Sequence, residues 1–143
     1  MLTFTFAGDE AGDVSFSFGK GASRYFVVAV IATAEPEALR GVIEKIRIEA
    51  GLPSDYEFGF HALTSASLRQ HVFSTLAIAR FDAWALVVDK TLLPDVFKLM
   101  SGMDAYLYFV SELLRGIPPE IREGGTLILD EFGQEATVRT ELR

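Results

Sequence analysis

The sequence predicts an α/β domain whose sheet is mostly parallel beyond an initial hairpin. Three observations predict it. Short apolar runs rich in Val, Ile and Phe, such as Tyr25–Ile31, alternate with segments of helical periodicity, such as Pro36–Ile46. Gly and Pro punctuate the transitions between them. Half of the 143 residues are apolar and 12 are Phe, which suffices for one domain with a sizeable core.

The elements follow in order. Leu2–Phe6 reads as the first strand, and Asp13–Ser23 is Gly- and Ser-rich, with an alternation Val14-Ser15-Phe16-Ser17-Phe18 that can extend a hairpin. Tyr25–Ile31 is apolar on both faces and reads as a central strand covered on both sides. Pro36 suits a first helical turn; Leu39, Val42, Ile43 and Ile46 recur at helical spacing until Gly51 and Pro53 stop them. Glu57–Phe60 can form a short strand. Thr64 or Ser65 caps a second helix with Leu68, Val72, Leu76 and Ala79 on one face. Phe81–Val88 is another strand. A third helix runs from Asp104 to Arg115, closed by Gly116 and Pro118, and Thr126–Leu129 is a last strand. From Gln134 the chain reads as another helix that stops at Arg143. The whole, 1–143, is expected to be a single domain, read at its C-terminus as a truncated domain, a fragment or a naturally short member.

Composition narrows the function. The net charge of -7 counts against a simple nucleic-acid-binding module, whose affinity comes from neutralising phosphates. It counts less against a metal-dependent nuclease, which must cluster carboxylates. With no cysteine, disulfides, thiolate metal sites and cysteine nucleophiles are excluded. No stretch reaches the roughly 18 apolar residues of a membrane span. The N-terminus has no basic region followed by a long apolar core, so no membrane and a cytoplasmic location are expected.

Three predicted strands end alike. Phe6-Ala7-Gly8 leads to Asp9-Glu10, Val87-Val88 to Asp89, and Ile128-Leu129 to Asp130-Glu131. Sites in open α/β sheets form at the carboxyl ends of strands. If these strands are adjacent and parallel, Asp9, Asp89 and Asp130 converge. Packed carboxylates repel, and a hard divalent cation such as Mg²⁺ or Mn²⁺ resolves the repulsion. The plainer reading of each acid is a turn residue or helix cap. Lys90 can hold a phosphate or pair with an acid. His61 and Glu57 are candidates for the site or ordinary polar residues at a strand edge, and His71 reads as a solvated helix residue. Gly19-Lys20-Gly21 lacks the spacing of a phosphate loop. Tyr106, Tyr108 and Phe109 read as core or interface residues of a helix.

These motifs resemble a family. Gly8–Asp13, G-D-E-A-G-D, is similar to the D-E-S-G-D that opens the bacterial domain of unknown function 3800 family. The strand at Tyr25–Ile31, the E-F-G-F-H at Glu57–His61, the A-L-V-V-D-K at Ala85–Lys90 and the L-I-L-D-E at Leu127–Glu131 resemble its later motifs, in order. Ala11 stands where that family has Ser, and Gly59 where it often has Lys. The resemblance implies a ribonuclease H-like fold, a mixed sheet with an N-terminal hairpin and helices packed on it. It also implies a nuclease-type metal site at Asp9, Asp89 and Asp130 with Glu10 and Glu131 in support. The expected function is a Mg²⁺- or Mn²⁺-dependent nuclease or phosphodiesterase acting on nucleic acid. The alternative is a non-catalytic interaction protein of that fold, as a component of a mobile-element or defence system.

Overall fold

A computed structural model describes residues 2–59, 62–130 and 137–141. Within them the chain forms two compact units, one made of the segments up to Ala34 and from Asp82 onward, the other of Glu35–Phe81.

The first unit is built on a mixed, open five-stranded sheet. Its strands are β1 (Thr5–Ala11), β2 (Tyr25–Thr33), β3 (Asp82–Asp89), β4 (Thr126–Asp130) and β5 (Thr137–Glu141), in the spatial order β3-β2-β1-β4-β5. Only the β1–β4 step is parallel; β1–β2, β2–β3 and β4–β5 are antiparallel. The mostly parallel sheet expected from the alternation of strands and helices is therefore corrected to a mixed one. The helices between β2 and β3 belong to the other unit, and β3 returns alongside β2 in the opposite sense.

One face of this sheet is the core. Phe6, Phe26, Val28, Val30, Ala32, Val88, Leu127 and Leu129 are buried there at every second position. Helix α3 (Gly102–Arg115) covers that face with Ala105, Tyr106, Phe109, Val110 and Leu113, the stripe expected of an amphipathic helix. The Phe26 ring lies 5.6 Å from Phe109 and 6.4 Å, edge to face, from Tyr106. Ser101 caps α3 by accepting from the Asp104 amide at 3.1 Å. A short helix α4 (Pro119–Arg122) leads into β4, where Ile121 joins the core. Phe6 and Phe26 are fully buried, each contributing about 1.5–3 kcal/mol, more than any exposed ion pair on the surface. On the other face Ala7, Ala11, Ala29, Ala83 and Ala85 are exposed, together with Tyr25 and Val87. In Tyr25–Ile31 one face is fully buried, while the other alternates the exposed Tyr25 and Ala29 with the half-buried Val27 and Ile31.

The second unit packs α1 (Pro36–Glu49) and α2 (Ala66–Leu76) around Ile46, Leu63 and Val72. Both helices begin as the sequence reads, at Pro36 and after a Ser65 cap that accepts from the Leu68 amide. Glu57–Gly59 is irregular instead of a strand; Phe58 turns into the small core, edge to face with Tyr56. His71 is not simply solvated, since its Nε2 lies 3.3 Å from Glu49 Oε2. No helix among the described residues is long and apolar enough to cross a membrane.

Several boundaries differ from expectation: α2 ends at Leu76, so Ala79 lies beyond it, and α3 begins at Gly102. The first strand begins at Thr5 and runs on through Gly8-Asp9-Glu10 to Ala11, because its ladder with β2 continues that far. Val14–Ser17 forms no strand, and a 3₁₀ turn follows at Phe18–Lys20. Thr137–Glu141 is a strand and not part of a helix, in keeping with the β-branched Thr137, Val138 and Thr140; Gln134 lies outside the described residues.

Two glycines test this geometry with opposite signs. Gly12, at the end of β1, has φ +83°, and a Cβ there would lie 2.4 Å from the Tyr25 carbonyl oxygen. Gly12→Ala is expected to destabilise the protein by about 2 kcal/mol or more. Gly41 lies in α1 with open space around it, so Gly41→Ala is expected to stabilise by up to about 1 kcal/mol. Urea unfolding of both variants measures the contrast.

Candidate functional site

β1 and β3 both run antiparallel to β2, and β4 runs parallel to β1. The carboxyl ends of β1, β3 and β4 therefore lie along one rim of the sheet, as the repeated strand endings predict. Position along that rim separates the acids. The β1–β4 ladder pairs Phe6 with Leu127 and Gly8 with Leu129. The ladder ends at that pair, and Asp9 and Asp130 are the next residues of their strands. Gly8 permits the close packing at that pair: a Cβ there would meet Leu129 Cδ2 at 2.7 Å and Val30 Cγ1 at 3.0 Å.

Asp89 does not join them. Asp9 pairs with Ala29, and Ala29 with Ala85. Asp89 thus lies four residues beyond the level of Asp9 and two strands away, roughly 13 Å along and 10 Å across. The expected convergence of three carboxylates is corrected accordingly. Among the described residues there is no group of three or more His, Asp or Glu side chains that could share a metal ion.

The carboxylate of Asp89 has other work. It accepts from Arg24 Nη2 at 2.8 Å and Nε at 3.3 Å, a forked charge-assisted pair. It also caps the 3₁₀ turn Lys90–Leu92 by accepting from the Thr91 amide at 3.1 Å and the Thr91 hydroxyl at 2.6 Å. The Arg24 guanidinium, with the Thr91 hydroxyl, holds the Asp89 carboxyl down at about 2.

Lys90 is not available to a phosphate. Its side chain is 1% exposed, and Nζ donates to the carbonyls of Asp13 (2.7 Å) and Ser15 (2.6 Å) and to Asp13 Oδ1 (3.0 Å). Three donors meet three acceptors, so the buried ammonium is fully satisfied. Its Nζ also lies 5.4 Å from the Phe18 ring centre. Asp13, which reads from sequence as a mere turn residue, proves to be a hub. Its carboxylate accepts from the amides of Ser15 and Ser23, and its own amide donates to Ser23 Oγ. The Ser23 amide foremost, then the Lys90 ammonium, holds the Asp13 carboxyl low against the opposing effect of burial.

The remaining candidates scatter. Asp9 is exposed on the open, alanine-lined face and accepts from the Glu10 amide at 2.8 Å. Strand alternation sends Glu10 to the opposite, core-side face beside Val28, so the two adjacent acids do not serve one ion. Glu57 is exposed and belongs to the helical unit. His61 and Glu131 lie outside the described residues. Arg24 was invisible as a site residue; its only sequence signal is a basic residue just before a strand, and its partner is 65 residues away.

With the geometry in place, comparison with known proteins adds no relative: the chain matches no protein-family model, no curated protein and no solved structure.

Two tests follow. Lys90→Met removes a buried cation and strands two carbonyls and a half-exposed carboxylate, so a loss of about 2–3 kcal/mol is expected in chemical unfolding. Asp89 carries a depressed pKa, so its contribution is complete above the ordinary value of 3.8 and disappears as pH falls towards about 2. The difference in Tm between wild type and Asp89→Asn is therefore expected to be constant from pH 7 to about pH 5 and to shrink between pH 4 and 2.

Proposed function

We propose that this chain is a ribonuclease H-like α/β protein of the domain of unknown function 3800 type, and a divalent-metal-dependent phosphodiesterase acting on nucleic acid. The observation that carries the reading is the parallel β1–β4 ladder, whose last pair, Gly8 with Leu129, directly precedes Asp9 and Asp130 on the two central strands. The order β3-β2-β1-β4, antiparallel up to β1 and parallel across β1–β4, supports the fold, and the comparison rests on those four strands.

The donor set suits the metal. Mg²⁺ keeps several waters and binds through one or two carboxylates, and Asp9 and Asp130 supply two hard oxygen donors on adjacent strands. Bound there, Mg²⁺ or Mn²⁺ would supply an activated water and stabilise charge at phosphorus. The chain's own part is positional. The ladder with β2 holds Asp9 in place, and the small residues around it, Ala7, Ala11 and Ala29, leave a phosphodiester backbone room to approach. Asp89 and Lys90 stand outside this chemistry and hold the rim together.

A second reading, a non-catalytic interaction protein, is favoured by Asp89's full engagement, which leaves two acids where the resemblance implies three. Metal separates the readings. Titration with Mn²⁺ is expected to raise Tm by an amount that grows with concentration, and Asp9→Asn is expected to abolish both that rise and metal-dependent cleavage of oligonucleotides while leaving metal-free Tm near wild type. Asp89→Asn is expected to keep cleavage and lose stability. Wild-type melting indifferent to millimolar Mn²⁺ would favour the interaction protein, and cleavage that survives both Asp9→Asn and Asp130→Asn would remove this site from consideration.

A further inference from the structure

Glu49 is the last residue of α1, and His71 lies in the middle of α2. Both stand on the seam where the two helices pack. Glu49 follows Ile46 by three residues and His71 follows Leu68 by three, and residues at that spacing share a helix face.

The contact between them is close but incomplete. His71 Nε2 lies 3.3 Å from Glu49 Oε2, near enough for an ion pair. Yet Nε2 is closed off from water and has no hydrogen-bond partner, so the direction of the contact is wrong for a hydrogen bond. The other carboxylate oxygen, Oε1, is met only loosely, by the exposed Lys45 ammonium at 3.6 Å. A buried nitrogen left unpaired costs free energy. A carboxylate at the C-terminal end of a helix also faces the negative end of the helix dipole.

One cation relieves both. Two ligands of a tetrahedral zinc ion, each about 2.1 Å from it, stand about 3.4 Å apart. That matches the 3.3 Å between Nε2 and Oε2, two donor atoms that are neighbours without being bonded to each other. We propose that Glu49 and His71 bind a divalent transition-metal ion of the zinc class, which ties the end of α1 to α2. The donors select the ion. An imidazole nitrogen with a carboxylate oxygen suits Zn²⁺, Ni²⁺ or Cu²⁺, whereas Mg²⁺ takes oxygen ligands. Water completes the coordination. An open pocket of about 380 Å³ adjoins the pair, walled by Leu52 and Leu68 and bordered by Ser65 and Ser67. The His71 and Glu49 side chains are 38% and 43% exposed, so the ion enters from solvent without unfolding of the helices. Closed structural zinc sites have four protein ligands, and a site with two is exchangeable. It lies wholly within the helical unit and stands whether or not the protein is a phosphodiesterase.

Zinc titration of the full chain at pH 7.5 tests it, followed by Tm and by the imidazole proton resonances. Mg²⁺ is held in millimolar excess, so that carboxylate sites do not report. Wild type is expected to melt higher as Zn²⁺ rises through the micromolar range, and the His71 ring signals are expected to shift with it. His71→Gln is expected to abolish the rise, and Glu49→Gln to weaken zinc binding about tenfold or more. Both replace partly exposed side chains, so metal-free melting is expected to stay close to wild type. His61→Gln removes the chain's other histidine and is expected to keep the rise. The proposal is overturned if the His71 resonances are indifferent to Zn²⁺, which leaves an exposed ion pair only. It is also overturned if His61→Gln abolishes the rise and His71→Gln does not, or if Mg²⁺ alone shifts the His71 signals equally.

Discussion

A buried ammonium must be surrounded by acceptors or it will not stay charged and folded. Lys90 meets that condition with two carbonyls and one carboxylate, all drawn from the Asp13–Ser15 segment. The requirement ties three places together: the exit of β1, the loop that leads to β2, and the end of β3. Arg24 and Asp89 repeat the connection from the solvent side, and the Lys90 amide adds a backbone bond to the Arg24 carbonyl at 3.0 Å. The rim that presents Asp9 is consequently braced at the point where the chain is otherwise rich in Gly and Ser. Without it, a loop from Gly12 to Arg24 with no strand of its own would have little to hold it against the entropy of its backbone.

This brace also explains why the acids part company. A carboxylate can serve a metal only if it is not already committed. Asp89 accepts from four donor groups of Arg24 and Thr91, and Asp13 is shared between two amides and an ammonium. Asp9, by contrast, sits where the strand is flanked by alanines on its open face. The sheet rim thus divides into a structural half around β2 and β3 and a half around β1 and β4, whose ladder ends one residue before Asp9 and Asp130.

Local signals carried most of the element assignment. Pro36, the helical recurrence of Leu39 and Ile46, and the Ser65 cap place the starts of two helices within a residue, because capping and periodicity are properties of neighbouring residues. Direction was legible too, since three strands ending in Asp do share one rim. Register was not. Whether Asp89 stands beside Asp9 or two strands away depends on pairings across 60 residues and more, which leave no trace in a local pattern. The extent of β1 failed for a related reason: Gly8-Asp9-Glu10 has poor strand propensity, and its ladder with β2 keeps it extended. Lys90 reads from sequence as a phosphate holder or an acid's partner, and Asp13 as a turn, because burial is not written in either residue's type.

Asp9 and Glu10 lie on opposite faces only because β1 keeps its phase relative to Phe6. Gly8 guards that phase, since no other residue fits between Leu129 and Val30 without displacing one of them. Insertion or loss of a single residue between Phe6 and Asp9 would exchange the two acids, turning Asp9 towards the Val28 layer and Glu10 out among the alanines. Lineages descending from this chain are therefore free to vary the length of the loop after Ala11 but not of the three residues before Asp9. The history of the open face is written in parity as much as in side-chain identity.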